Sequence, residues 1–269
     1  MPLSSHVIEK ERDPNHKVKI ESSPKWIRVI FGGETVADSK KALILFETGF
    51  TPVYYFPEDD VRMDLLRATD KTSSCPYKGN ASYWSVVVGE HTAEDAVWKY
   101  TETYDDSPEI QNYVAFYWDK LDRWFEEEEE IFVHPRDPYK RIDVVNSSRH
   151  VKIVLNDTVI AETSTPTLLF ETGLPVRYYL RPTDIRMDLL LSTEKATHCP
   201  YKGACNYYSV NLGDQIIDNL AWYYRYPTLE AAKIAGLVAF FNERVELYID
   251  GDLQEKPKTK WSIANSAEH

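Results

Sequence analysis

A block of this sequence is written twice at constant spacing, and that constrains the fold more than any single motif. Phe46-Glu47-Thr48-Gly49 returns as Phe170-Glu171-Thr172-Gly173, RMDLL at 62–66 returns at 186–190, and CPYKG at 75–79 returns at 199–203. Each pair lies 124 residues apart (46 to 170, 62 to 186, 75 to 199). Equal spacers mean two folded units of one architecture, not a stack of short repeats. In a chain of 269 residues each unit has ordinary domain size.

The first copy opens with two alternating runs, 27–31 and 34–38, around Gly32-Gly33, the chemistry of a tight hairpin with a primed turn. The second repeats the device at 151–155 and 158–162 around Asn156-Asp157, residues that also tolerate positive φ. Further strands are expected at 42–47, 53–56, 83–88 and 96–100, with partners at 167–171, 177–180, 207–212 and 220–224. Val114-Ala115-Phe116, repeated as Val238-Ala239-Phe240, reads as a buried strand, and only 229–235 has helical composition. The pattern predicts an all-β chain with short strands, long loops and little helix.

The expected boundaries are a mobile N-terminal arm (1–24), a first β repeat (25–125), a connector (126–147), a second β repeat (148–250) and a polar, fraying tail (251–269). The connector opens on five acidic residues, 126–130, read as a solvated face or a frayed helix end. Two prolines then stiffen it. Its His134, Arg136, Asp137, Tyr139 and Arg141 break the symmetry of the copies, either as an ion-pair clamp or as a strap over one site.

A net charge of −12 repels a phosphate polymer, so nucleic acid is not an expected partner. No segment approaches the roughly 20 apolar residues of a membrane span, and the N-terminus lacks a signal peptide's apolar centre. The expectation is a cytoplasmic protein without a membrane partner. Three cysteines make no disulfide framework, and seven histidines without HxH or HExxH spacing give no metal site. No cofactor is expected.

FETG, DVRMDLL at 60–66, CPYKG, and the Trp98 and VAF positions together resemble the domain of unknown function 427 family, over residues 26–250. HPRDPY at 134–139 looks like the connector of its two-copy members. The resemblance implies two Mss4-like, β-tent-like domains forming a pseudo-two-fold dimer, with fusion removing the entropy cost of pairing. Many β-tent relatives hold zinc through paired CxxC motifs; this chain has one cysteine at each equivalent position and no CxxC. The family's nucleotidyltransferase-like label implies a glycine-rich phosphate loop and paired aspartates after a Gly-Ser turn, and neither is in the sequence.

The polar residues present in both copies are the site candidates. Glu171, Arg186, Asp188, Lys202 and Tyr207, with equivalents Glu47, Arg62, Asp64, Lys78 and Tyr83, form a set suited to acid–base work. Glu would accept the proton, Lys or Tyr would donate it, and Arg would hold an anionic oxygen. Trp222 and Trp98, Tyr179 and Tyr55, Cys199 and Cys75, with His134, Arg136 and Tyr139, are the candidate ligand-binding residues. Plainer readings stay open. Arg and Asp two apart could pair within their loop, the thiol could be a small buried group, and the aromatics could be core.

The expected function is binding of, or cofactor-independent acid–base chemistry on, a small polar or aromatic metabolite: isomerisation, cyclisation or hydrolysis. The alternatives are a non-catalytic ligand- or peptide-binding module and a structural interaction domain. The expected state is a monomer built as a covalent pseudo-dimer, with further oligomerisation open.

Overall fold

The computed structural model describes residues 12–262. Residues 1–11 of the arm and 263–269 of the tail lie outside them. The chain divides into two units between Pro135 and Arg136.

Unit one contains β1 (Val18–Ser22), β2 (Ile27–Phe31), β3 (Glu34–Ser39), β4 (Leu43–Glu47), β5 (Val53–Pro57) and β6 (Leu66–Cys75). β7 (Gly79–Val88), β8 (His91–Thr103), β9 (Tyr113–Phe116), β10 (Arg123–Glu126) and β11 (Glu129–Ile131) complete it. They form a seven-stranded sheet, β1-β4-β5-β9-β8-β7-β6, and a four-stranded sheet, β11-β10-β2-β3.

Unit two repeats the plan with β12 (Ile142–Asn146), β13 (Val151–Leu155), β14 (Thr158–Thr163), β15 (Thr167–Glu171), β16 (Arg177–Leu180) and β17 (Leu190–Cys199). It continues with β18 (Gly203–Asn211), β19 (Ile216–Pro227), β20 (Val238–Phe240), β21 (Glu246–Ile249) and β22 (Asp252–Leu253). Its sheets run β12-β15-β16-β20-β19-β18-β17 and β14-β13-β21-β22. The all-β expectation holds, and the helical run near 229 is the short 3-10 turn Leu229–Ile234.

The central strands of the seven-stranded sheet are buried on both faces. On one face Ile27, Val29, Tyr54, Phe56, Val97, Phe116 and Trp124 form the core shared with the smaller sheet. On the other, Leu45, Tyr55, Ala81, Tyr83, Tyr100, Ile110 and Ala115 form a second, tyrosine-rich layer. β5 shows how this works: side chains alternate, so Tyr54 and Phe56 enter the first layer and Tyr55 the second. Unit two divides Tyr178 and Tyr179 in the same way.

This sheet is rolled. Four strand spacings separate β4 from β7, roughly 19 Å in a flat sheet. Yet Glu47, the last residue of β4, is ion-paired with Lys78, the residue before β7. The residues leading into β1 also meet the β6–β7 turn: the Asp13 amide donates to the Tyr77 hydroxyl at 2.9 Å. In unit two Lys202 pairs with Glu171, and the Asp137 amide donates to Tyr201 at 2.6 Å.

Several boundaries are corrected. β1 lies inside the expected arm and β12 inside the expected connector. Arg12-Asp13-Pro14 and Arg136-Asp137-Pro138 also lie 124 residues apart, so the second half of the connector opens unit two just as residues 12–22 open unit one. The acidic run is neither helical nor wholly solvated. It crosses the β10–β11 hairpin, with Glu127 at φ 53° in the turn, and Glu126 is buried, accepting from Tyr54 at 2.7 Å and pairing with Lys25.

Gly79 closes the CPYKG turn at φ 113°, and a Cβ there would stand 2.0 Å from the Glu102 carbonyl oxygen. Gly203 is roomier, with its nearest obstacle 3.1 Å away. Gly79→Ala is therefore expected to destabilise unit one by about 3 kcal/mol, and Gly203→Ala to cost unit two less. Urea unfolding of both variants checks this; equal or negligible losses would contradict the packing described.

Candidate functional site

Two short motifs bring the site together. In FETG, Gly49 turns out of β4 at φ 84°, and Thr48 ties the strand end to the start of β1, its amide donating to the Lys17 carbonyl at 3.0 Å and its Oγ1 accepting from the Lys17 amide at 2.9 Å. Glu47 then falls on the same face as Leu45, the tyrosine-rich one. In CPYKG, Cys75 and Gly79 are the last pair of the β6–β7 hairpin. Lys78 is left in the tight loop with its ammonium buried against Glu47. Unit two uses Thr172 and Arg141 in the same exchange and buries Lys202 against Glu171.

Unit one adds a group that the sequence reading missed. His16 Nε2 lies 3.0 Å from Glu47 Oε1, while Glu47 Oε2 takes Lys78. The imidazole stacks on Tyr77 with centroids 3.8 Å apart and planes 11° from parallel. A carboxylate only accepts, so Nε2 carries the hydrogen in this contact. In unit two the equivalent residue is Lys140, whose Nζ sits 5.6 Å from the Tyr201 ring centroid. His16 lies within residues 1–24, expected as a mobile arm; the Arg-Asp-Pro repeated at 12–14 and 136–138 is the sequence signal that ties it to the fold.

Aromatic side chains line the same face. Trp98 Nε1 donates to Tyr55 at 3.2 Å, and Trp222 Nε1 to Tyr179 at 3.0 Å. Tyr83 and Tyr207 share hydrogen bonds of 2.8 Å with Ser73 and Thr197. The Tyr100 ring lies 5.6 Å from Lys78 Nζ. Burial pushes the Tyr55, Tyr100, Tyr179 and Tyr224 phenols up, so they stay neutral hydroxyls at physiological pH. Cys75 and Cys199 are half-buried at the hairpin ends. Cys205 is fully buried, and burial pushes its thiol up to about 11, which removes it as a thiolate nucleophile.

The five-residue catalytic set does not come together. Arg186 makes two bonds to Asp188, at 2.9 and 2.6 Å, and Arg62 does the same to Asp64, at 2.8 and 2.7 Å. All four side chains are more than half exposed. The arginine hydrogen bonds hold both aspartates below the usual carboxylate range. Arg186 and Asp188 precede the first residue of β17, and Lys202 follows its last. A ten-residue strand separates them, on the order of 30 Å of extended chain. The Arg186 amide bonds Ile160 of β14 at 2.9 Å, and Met187 and Leu189 pack on the core between the two sheets. The expectation of a guanidinium holding a ligand oxygen beside Glu and Lys is thereby corrected: this pair braces a loop.

The connector residues also separate. His134 Nδ1 lies 2.8 Å from the Pro135 carbonyl at the end of unit one. Arg136 pairs with Glu230 at 3.0 Å and lies 5.4 Å from the Tyr201 ring centroid, and the Tyr139 amide bonds Asp137 at 2.8 Å. Arg136 and Tyr139 thus belong to the opening segment of unit two.

No curated protein matches the chain. One family does, described as a domain of unknown function, DUF427, and it matches twice, over residues 19–127 and 143–251. The chain belongs to that family. Both DUF427 copies hold the Glu–Lys pair, whereas His16 and Lys140 lie just ahead of the matched spans. Among the described residues no helix is long and apolar enough to cross a membrane.

Breaking a buried ion pair from one side leaves an uncompensated charge, at a cost of about 3–5 kcal/mol. Lys202→Met and Glu171→Gln should each lose stability on that scale. The double variant should lose less than the two combined, by more than about 1 kcal/mol. A double-mutant cycle in denaturant measures the difference, and strictly additive losses would argue against the pair.

Proposed function

We propose that each DUF427 copy binds a small polar or aromatic metabolite on the tyrosine-rich face of its rolled sheet. Unit one, in this reading, also carries out cofactor-independent proton transfer there. The observation that carries the reading is the Glu47 carboxylate held between Lys78 and His16 beside that face. A buried ion pair is a weak source of stability, since apolar residues of similar volume do as well or better. Its presence in both units, with neutral phenols around it, favours a role in recognition.

Glu47 would fix the imidazole, Nδ1 would accept a proton, and Lys78 would stabilise negative charge or return a proton. Trp98, half-buried at the edge of this layer, would stack on the ligand, with the buried tyrosines fixing its position. Isomerisation or hydrolysis of a small molecule fits that set. In unit two Lys140 replaces His16, which favours binding without turnover. The β-tent description of the fold, a cytoplasmic location and a monomer built as a pseudo-dimer belong to the same proposal, supported by the family resemblance and by the charge and hydropathy of the sequence.

The test is a panel of small hydroxylated aromatic acids and amines, followed by NMR for binding and for product. Glu47→Gln and His16→Ala should each cut turnover at least 100-fold, in line with the usual worth of acid–base groups, and leave binding within about tenfold. Lys140→Ala should leave turnover unchanged. Full activity in both unit-one variants, or no binding by any panel member, would overturn the reading.

A further inference from the structure

Unit two has a device that unit one lacks. Arg177, at the start of β16, forms a buried two-bond pair with Glu243, at 2.7 and 2.8 Å. The positions equivalent by the 124-residue offset in unit one are Val53 and Asp119. The guanidinium sits among three aromatic rings, 5.4 Å from the Trp222 centroid, 5.9 Å from Phe241 and 5.4 Å from Trp261. Trp222 and Phe241 belong to the tyrosine-rich layer of unit two. Trp261 comes from the C-terminal tail, which the sequence reading expects to fray.

The tail is tied at two points. The Gln254 amide donates to the Leu247 carbonyl at 2.8 Å. At the far end Thr259 Oγ1 donates to Glu243 at 2.6 Å, and the Trp261 ring packs 6.2 Å from Phe241. A compact turn presents both side chains: the Trp261 amide donates to Thr259 Oγ1 at 3.2 Å, and the Thr259 amide to Ser262 Oγ at 3.0 Å. Between the two ties the tail borders an open groove of about 200 Å³, lined by Val176, Tyr178, Asn242, Leu247, Glu255 and Pro257 among others. The segment is thus held at its two ends and packs loosely against the groove in between.

We infer that residues 254–262 form a latch that closes the Trp222–Phe241 side of the unit-two aromatic face, with Arg177 and Glu243 as the catch and Thr259 and Trp261 as the key. The charged pair provides the specificity. Glu243 is buried, which opposes its ionisation, but the bonds from Arg177 and Thr259 and the Arg177 charge outweigh that and hold it below the usual carboxylate range. The carboxylate therefore stays an acceptor for Thr259 at physiological pH, and the guanidinium plane gives the indole a flat cationic surface. The inference adds regulation to the binding reading of unit two. Its test reads the tail alone, so either can fail without the other.

Lys258 and Lys260 are trypsin sites within the latch. In the native full-length chain, cleavage there should be at least tenfold slower than in a free peptide of residues 254–262. Trp261→Ala or Thr259→Val should restore cleavage to within about twofold of the peptide. The peptide itself, titrated by NMR, should bind the full-length Trp261→Ala chain at least tenfold more tightly than the native chain. Native cleavage as fast as the peptide's, or equal peptide binding by both chains, would overturn the latch. Arg177→Lys provides a second variant: it keeps a cation but loses the fork, and it should open the latch even where Trp261→Ala folds poorly.

Discussion

One ion pair per unit connects parts of a sheet that strand order alone would keep apart. Lys78 reaches Glu47, and Lys202 reaches Glu171, across four strand spacings. That contact is possible only in a rolled sheet, and the roll in turn encloses the tyrosine-rich layer. The pair sits where polarity is costly, so each charge depends on the other and on the hydrogen bonds around it. The Asp13–Tyr77 and Asp137–Tyr201 bonds then bring the opening segment against the same turn.

The two units differ in what they add to this frame. Unit one places His16 against the second oxygen of Glu47, so the carboxylate bridges an ammonium and an imidazole. Unit two places Lys140 there and builds the Arg177–Glu243 catch on the same face, held by its own tail. The duplicated module thus keeps its frame and changes its accessory groups.

Much of the frame was legible because it rests on local rules. Gly32-Gly33 and Asn156-Asp157 both adopt positive φ, as the hairpin chemistry requires. The VAF runs are buried strands because three consecutive apolar residues fit a sheet covered on both faces. The edge strands were not legible. β6, with the sequence LRATDKTSSC, is mostly exposed, so it shows no apolar alternation although it pairs with β7 on both sides of a break between Ala68 and Thr72. The candidate site was half legible: identity of Glu and Lys in both copies singled out two residues that the fold brings into contact. Nothing in linear spacing reveals a roll, so Arg62 and Asp64 looked like neighbours of that pair when a whole strand separates them from Lys78. His16 was lost to an arm assumed to be mobile, although Arg12-Asp13-Pro14 already repeats at 136–138.

The most direct measurement is the ¹⁵N spectrum of the lysine ammonium groups in the intact chain near neutral pH. Solvated lysines exchange their protons too fast to be seen, whereas an ammonium buried against a carboxylate is protected. The account requires protected signals from Lys78 and Lys202, each lost on neutralising its own glutamate. Fast exchange at both would mean that the ion pairs do not hold the rolled sheet, and the reading of the face would fall with them.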